Sequence, residues 1–183
     1  MTANPVGTYH EIRGELLKRL RETAPGRVQI LSGPRQVGKT TLLLELATEF
    51  ENRATYVSAD STEAQMPGWW EQVVRAAGER ARKSGGGLLL VDEIPYMPDW
   101  ARRLKNEADR ILRAKLPLHV VVSGSSAIQL GKVSRETMAG RFERLRLFHW
   151  PAAELMRCFH LPPDEAITQF MAWGSYPGGH VPG

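Results

Sequence analysis

Gly33-Pro34-Arg35-Gln36-Val37-Gly38-Lys39-Thr40 is the stretch on which the reading of this 183-residue chain turns. It fits the phosphate-loop pattern G-x-x-x-x-G-K-[ST], and its flanks fit as well. Val28-Gln29-Ile30-Leu31 reads as a short buried strand, and Thr41-Leu42-Leu43-Leu44-Glu45-Leu46 reads as a helix. Glycines 33 and 38 permit a turn and a close approach that a Cβ would block. The free N–H groups at the helix start then face phosphate oxygens, helped by the positive end of the helix dipole. Lys39 brings a mobile ammonium to the β- and γ-phosphates, and the Thr40 hydroxyl is a ligand for Mg²⁺. The candidate nucleotide-binding residues are Gly33, Pro34, Arg35, Gln36, Val37, Gly38, Lys39, Thr40 and Thr41. A chance match in an ordinary strand–turn–helix is the competing reading. Four fixed positions in the right context favour a nucleoside triphosphate site, with ATP and Mg²⁺ as the expected ligands.

A second element strengthens the first. Leu88-Leu89-Leu90-Val91-Asp92-Glu93 is an apolar strand ending in two acids. Asp92 is expected to hold Mg²⁺ through its water shell. Glu93 is expected to orient and polarise an attacking water. The interval from Gly33 to Asp92 leaves room for a helix, a strand and another helix, so both motifs can meet at the carboxyl edge of one sheet. Two solvated acids in a loop are the alternative. Asp followed directly by Glu favours hydrolysis over transfer to an acceptor, because a phosphotransferase must keep water out.

Working outward, Tyr9 to Arg21 carries Ile12, Leu16, Leu17 and Leu20 at helical spacing, after a loose start over residues 1–8. Ala54 to Ala59 has strand composition. Met66-Pro67-Gly68 precedes a helix with Trp70, Val73, Val74, Ala77 and Ala81 on one side. Trp69 and Trp70 diverge by about 100° on a helix, which predicts one core residue and one partly exposed residue instead of a base-stacking platform. Gly85-Gly86-Gly87 is expected to be a turn, and Asp99 an N-cap for a helix bearing Trp100, Leu104, Ala108, Ile111 and Leu112. Leu118 to Val122 reads as a further buried strand, Ser134 to Ala139 as a short helix, and Arg144 to Phe148 as the last strand. Helices are expected over 151–158 and 163–173.

Five strands alternating with helices predict an α/β fold: a mostly parallel five-stranded sheet covered by helices on both faces. The expected division is an N-terminal helix over 1–26, the phosphate-loop core over 27–150, and a helical segment over 151–183. Composition is that of a globular domain, and no apolar run approaches the roughly 18 residues of a membrane span. One cysteine, Cys158, excludes a disulfide within the chain and fits a reducing cytoplasm. A net charge of +4 does not by itself imply nucleic acid. The five histidines show no metal-ligand spacing, and Cys158 with His160 cannot complete a coordination sphere, so no metal besides Mg²⁺ is expected.

At the end of the fourth strand, Val122-Ser123-Gly124-Ser125-Ser126 offers hydroxyls that could reach a γ-phosphate or the attacking water. Ser123 is the first choice and Ser125 the second, and a plain serine-rich turn is the alternative.

The run Leu31 to Leu42 closely resembles a family of bacterial and archaeal AAA-type ATPases. So does Val91-Asp92-Glu93-Ile94-Pro95, followed by Met97-Pro98-Asp99-Trp100. Ser123 to Ser126 and Ala139-Gly140-Arg141-Phe142 are similar to its later motifs, in the same order. The resemblance implies a three-layer RecA-like P-loop core, Mg-ATP as ligand and hydrolysis as chemistry. It also implies that Arg141 could serve as an arginine finger on a neighbouring subunit's γ-phosphate, which requires a homo-oligomer. A surface salt bridge is the alternative, and Arg135 and Arg144 are rivals for the role. A protein or DNA partner is implied by the resemblance alone. Family members usually continue into a nuclease-like C-terminal domain, so a chain ending soon after residues 173–179 is expected to be truncated. Three function classes remain open: an ATPase that drives a conformational change, an ATP-dependent switch with negligible turnover, and a phosphotransferase.

Overall fold

The apolar run at the centre of the chain organises three layers. In a computed structural model, which describes residues 5–125 and 141–173, Gly87–Asp92 forms strand β4 and is buried at every position. Leu88 and Leu90 enter one core, while Leu89 and Val91 enter the other. Alternate residues of a strand point to opposite faces, so a continuous apolar run implies cover on both. On one side lie α3 (Trp69–Ser84) and α4 (Trp100–Arg113), which contribute Trp70, Val74, Trp100, Leu104 and Ile111. On the other lie α1 (Tyr9–Leu20), α2 (Lys39–Phe50) and α5 (Ala152–Phe159), with Leu16, Leu43, Leu46 and Leu155 packed inward. Helix α6 (Pro163–Trp173) follows, and Phe170 rests on the same core. Fully burying one such leucine stabilises the fold by about 1.5–3 kcal/mol.

The remaining strands are β1 (Val6–Gly7), β2 (Val28–Ser32), β3 (Ala54–Ser58), β5 (Leu118–Gly124) and β6 (Phe142–Leu147). Their order across the sheet is β1-β6-β2-β5-β4-β3, and each neighbouring pair is parallel. The α/β layered architecture is therefore as expected, with six strands where the sequence suggested five. The extra one comes from the supposedly loose start: Val6 and Gly7 pair with Arg146 and Leu147. Two residues are too few to carry a periodic signal.

One local expectation fails and another holds only in position, each for a physical reason. Gly87 opens β4 instead of belonging to the turn; its N–H donates to the Pro117 carbonyl at 2.8 Å, and a Cβ there would lie 2.7 Å from that of Ala81. Asp99 is the N-cap residue of α4, as expected, but in a left-handed conformation (φ 53°), and its carboxylate pairs with Arg102 at 2.8 Å instead of accepting from a helix N–H. The tryptophan pair behaves as its spacing requires, with Trp70 in the core and Trp69 only partly buried against it. The short helix expected over 134–139, together with Ser126 and Arg135, lies outside the described residues.

His119, in β5, is buried, and its Nε2 donates to the Glu22 carbonyl at 3.1 Å. Burial pushes its pKa below the ordinary value, against a smaller upward pull from the Glu22 carbonyl and carboxylate. The unfolded chain therefore binds this proton more readily than the folded one. Stability contributed by neutral His119 is complete above the unfolded value of about 6.5 and is lost as pH falls toward the folded value. Denaturant midpoints measured between pH 7.5 and 5 should fall below about pH 6.5 in the wild type. His119→Gln should lose part of that slope; an unchanged slope would exclude His119 as its source.

Candidate active site

The carboxyl ends of β2, β5 and β4 lie side by side, and this adjacency builds the site. β5 stands between the strand that enters the phosphate loop and the strand that ends in Asp92. Leu31 is in register with Ser123 and Ser32 with Gly124, while Val91 pairs with Val122. Ser123 is thus flanked by the loop on one side and Asp92 on the other. The carboxyl ends of the strands are the usual place for a ligand crevice in an open parallel sheet.

The loop geometry follows from its two glycines. Gly33 is packed so closely against β6 that a Cβ would sit 2.5 Å from the Leu147 carbonyl oxygen. Any side chain there would force the two strands apart. Gly38 precedes α2 at φ 93°, a conformation that side chains resist, and a Cβ would meet the Tyr9 ring at 3.1 Å. Val37 between them is fully buried, and the Trp150 indole N–H donates to its carbonyl at 3.0 Å. Val37 therefore anchors the loop through its side chain and carbonyl, leaving its N–H as what it can offer a ligand.

Lys39 is 5% exposed, and its ammonium donates to the Gly33 and Pro34 carbonyls at 3.1 and 2.5 Å. Burial lowers its pKa, while the Glu93 and Asp92 carboxylates support the charge and Arg35 opposes it. Arg35, Gln36, Gly38, Lys39, Thr40 and Thr41 line a cavity of about 980 Å³, and Glu93 and Ser125 line the same cavity. This exceeds what a triphosphate alone needs and falls within the range of ordinary ligand pockets.

Asp92 is buried beneath this floor with its carboxylate held from three directions. One oxygen accepts the Ser123 hydroxyl and the Glu93 N–H (3.0 Å), and the other accepts the Tyr56 hydroxyl at 3.2 Å. Burial together with the Asp92 charge pushes the Tyr56 phenol up to about 12, so it remains a donor. A carboxylate oriented in this way has the hard oxygen chemistry that suits Mg²⁺, as does the hydroxyl of Thr40, which lines the cavity. Glu93 sits in a left-handed backbone conformation (φ 47°), an uncommon state for a residue with a side chain. Its carboxylate accepts the Ser125 N–H at 3.2 Å and the Ser125 hydroxyl on its other oxygen.

The two serines therefore stand in different places. Ser123 is fully buried and touches Asp92 and the Glu93 backbone, whereas Ser125 faces the cavity and touches the Glu93 carboxylate. Arg141 is not brought to this site. It precedes Phe142, the partner of Val28 at the start of β2, and so lies at the opposite edge of the sheet. There its guanidinium pairs with Asp109.

Sequence reasoning passed over the wall that closes the cavity on its far side. Tyr9 and His10 from α1, and Trp150, Arg157, Cys158, Phe159 and His160 at α5, line it. The Tyr9 and Trp150 rings lie 5.2 Å apart and those of Trp150 and Phe159 6.1 Å. Nothing in the periodicity of α1 distinguishes Tyr9 from a core residue. The Trp150 signal was its position directly after β6, on the edge that also carries the loop. Tyr56 was similarly legible only as a strand residue, two positions before the partner of Asp92.

Comparison with known proteins adds a sequence relationship to this geometry. A family model described as an AAA domain matches residues 25–156. Protein SAP1 of Saccharomyces cerevisiae is 33% identical over 129 residues, covering 70% of this chain and 14% of that protein. The ATPase-like fidgetin of Schizosaccharomyces pombe is 37% identical over 107 residues, which is 58% of this chain and 16% of its own length. The uncharacterized protein Rv2008c of Mycobacterium tuberculosis is 31% identical over 132 residues, 72% of this chain and 26% of that protein. The chain thus spans about a quarter or less of the length of these relatives.

Proposed function

The chain belongs to the AAA-domain family, and on that footing we propose that it binds Mg-ATP and hydrolyses it to ADP and phosphate. The observation that carries this reading is the shared cavity: Lys39, Thr40 and Glu93 line one space. A nucleotide site equipped with a carboxylate at the γ-phosphate end is suited to activating water.

In this reading the loop N–H groups and Lys39 grip the phosphates. The Lys39 ammonium exchanges the Gly33 and Pro34 carbonyls for β- and γ-phosphate oxygens, and its charge supports the transition state. Thr40 and Asp92 would hold Mg²⁺, which offsets charge on the β- and γ-phosphates when bound. Tyr56 and Ser123 hold Asp92 in orientation by donating to it. Glu93 positions the attacking water and accepts its proton. Tyr9 and Trp150 offer an aromatic wall to the rest of the nucleotide. Ser125 takes the role of reading the γ-phosphate, through its grip on Glu93, and Ser123 that of aligning the acids. The hydrolytic cycle would drive a change in an attached or partner domain, nuclease-like if the family resemblance extends that far. Arg141 could act only on the site of a second copy, after leaving Asp109. A cytoplasmic setting goes with the single cysteine.

One feature of the site favours a second reading. Ser125 occupies both oxygens of Glu93, so the water-activating group is engaged. A switch that holds ATP until a partner frees Glu93 would look the same. Phosphate release from Mg-ATP, measured over a range of protein concentrations, separates the two. The ATPase reading expects release that requires Mg²⁺, with specific activity rising as copies assemble. Bound but intact ATP would favour the switch, and no ATP binding at all would overturn both.

In the described residues no helix is long and apolar enough to cross a membrane.

A further inference from the structure

His10, Glu154 and Cys158 are brought together where α1 meets α5, although 144 residues separate the first two. Glu154 and Cys158 are four residues apart on one helix and so share a face. The His10 Nδ1, a Glu154 carboxylate oxygen and the Cys158 Sγ all lie within 4.8 Å of one another. We propose that these three side chains form a Zn²⁺ site in the wall of the nucleotide cavity, separate from the Mg²⁺ site on its floor.

Three observations support the assignment. The first is spacing. Zinc bonds of about 2.3 Å to sulfur and 2.05 Å to nitrogen at a tetrahedral angle separate the two ligand atoms by about 3.6 Å. The Cys158 Sγ and His10 Nδ1 lie 3.6 Å apart. The Glu154 oxygen is 2.9 Å from the same nitrogen, a hydrogen-bond distance that metal binding would open by about 0.5 Å.

The second is charge. Glu154 is 1% exposed, and a buried carboxylate calls for a cation. Its neighbour His10 is nearly half exposed and supplies a charge only when protonated. The His10 backbone N–H donates to the same Glu154 oxygen at 2.7 Å, which fixes the carboxylate as an outer partner fixes a metal ligand. A dication bound at this point would draw out the Cys158 thiolate as a ligand.

The third is ligand type. Thiolate, imidazole and carboxylate together suit Zn²⁺ and discriminate against Mg²⁺, so millimolar magnesium for the nucleotide should not fill the site. Three protein ligands leave a fourth position to be filled, and two of the three, His10 and Cys158, line the cavity. Occupied, the site would tie α1 to the helix that follows the last strand and fix the wall behind the phosphate loop. No nucleotide is needed for the metal to bind, so the proposal stands apart from the ATPase reading.

The test uses the whole chain freed of metal with a chelator. Zn²⁺ is titrated against a chromophoric competitor in excess Mg²⁺, and Co²⁺ is added to a second sample for its visible spectrum. One Zn²⁺ per chain, held with a dissociation constant of about 1 µM or tighter, is expected. Co²⁺ should give tetrahedral visible bands and a thiolate-to-metal charge-transfer band. Cys158→Ser should remove the charge-transfer band, and both it and His10→Ala should weaken Zn²⁺ at least about tenfold. The wild-type cobalt spectrum decides the matter even if a variant fails to fold. Absence of the thiolate band, or equal Zn²⁺ affinity in wild type and folded variants, would reduce the cluster to an ion pair between two helices.

Discussion

Lys39→Ala is expected to abolish retention of ATP and to lower phosphate release by about 100-fold or more, the scale of losing one preorganised charge at a transition state. The reason lies in how the ammonium is held. It is nearly buried, satisfied by two carbonyls of its own loop, and supported by the Asp92 and Glu93 charges. It is already placed, so little reorganisation precedes its contact with phosphate. Alanine removes the cation and leaves the Gly33 and Pro34 carbonyls pointing into the site, where they repel phosphate oxygens. Equilibrium binding of a fluorescent ATP analogue, beside circular dichroism to establish folding, measures the effect. A folded variant that binds ATP like the wild type would remove the phosphate loop from the account.

Glu93→Gln should separate binding from chemistry. Turnover should fall by about 10²- to 10⁴-fold, the usual contribution of a positioned general base. ATP retention should be unchanged or stronger. Glutamine keeps the length of the side chain; its amide oxygen can accept the Ser125 N–H while its NH2 donates to the Ser125 hydroxyl, so both contacts can persist. It cannot take a proton from water. Single-turnover hydrolysis of bound ATP gives the chemical step directly. A variant as fast as the wild type would move the role of base to another group, and Asp60, which also lines the cavity, would be examined next.

The parts of this site that were legible in the sequence are those in which chemistry and local structure coincide. Gly33 and Gly38 mark the loop because its backbone demands them, and Lys39 and Thr40 follow at fixed positions. Leu88 to Val91 announces a strand covered on both faces because every residue is apolar. Asp92 and Glu93 stand at its end, where a ligand crevice forms.

What the sequence did not disclose depends on strand order and on contacts between distant segments. Nothing in the sequence reading placed β5 between β2 and β4. That order explains why Ser123 braces Asp92 while Ser125 reaches Glu93. Tyr56 acquires its role from the β3–β4 pairing. The His10, Glu154 and Cys158 cluster was invisible for the same reason: Cys158 was weighed against His160, its neighbour in sequence, whereas the structure supplies a histidine from the other end of the chain. Asp99 is a different case. The residue type and position were right for a cap, but the backbone there turns left-handed and Arg102 takes the carboxylate.

The central claim is that the acid at the end of β4 makes this nucleotide site hydrolytic. The measurement that tests it most directly is the fate of radiolabelled ATP bound with Mg²⁺ at equal occupancy to the wild type and to Glu93→Gln. The account predicts conversion to ADP and free phosphate on the wild type, with ATP persisting on the variant. Label remaining as ATP on both proteins, or decaying equally on both, would contradict it.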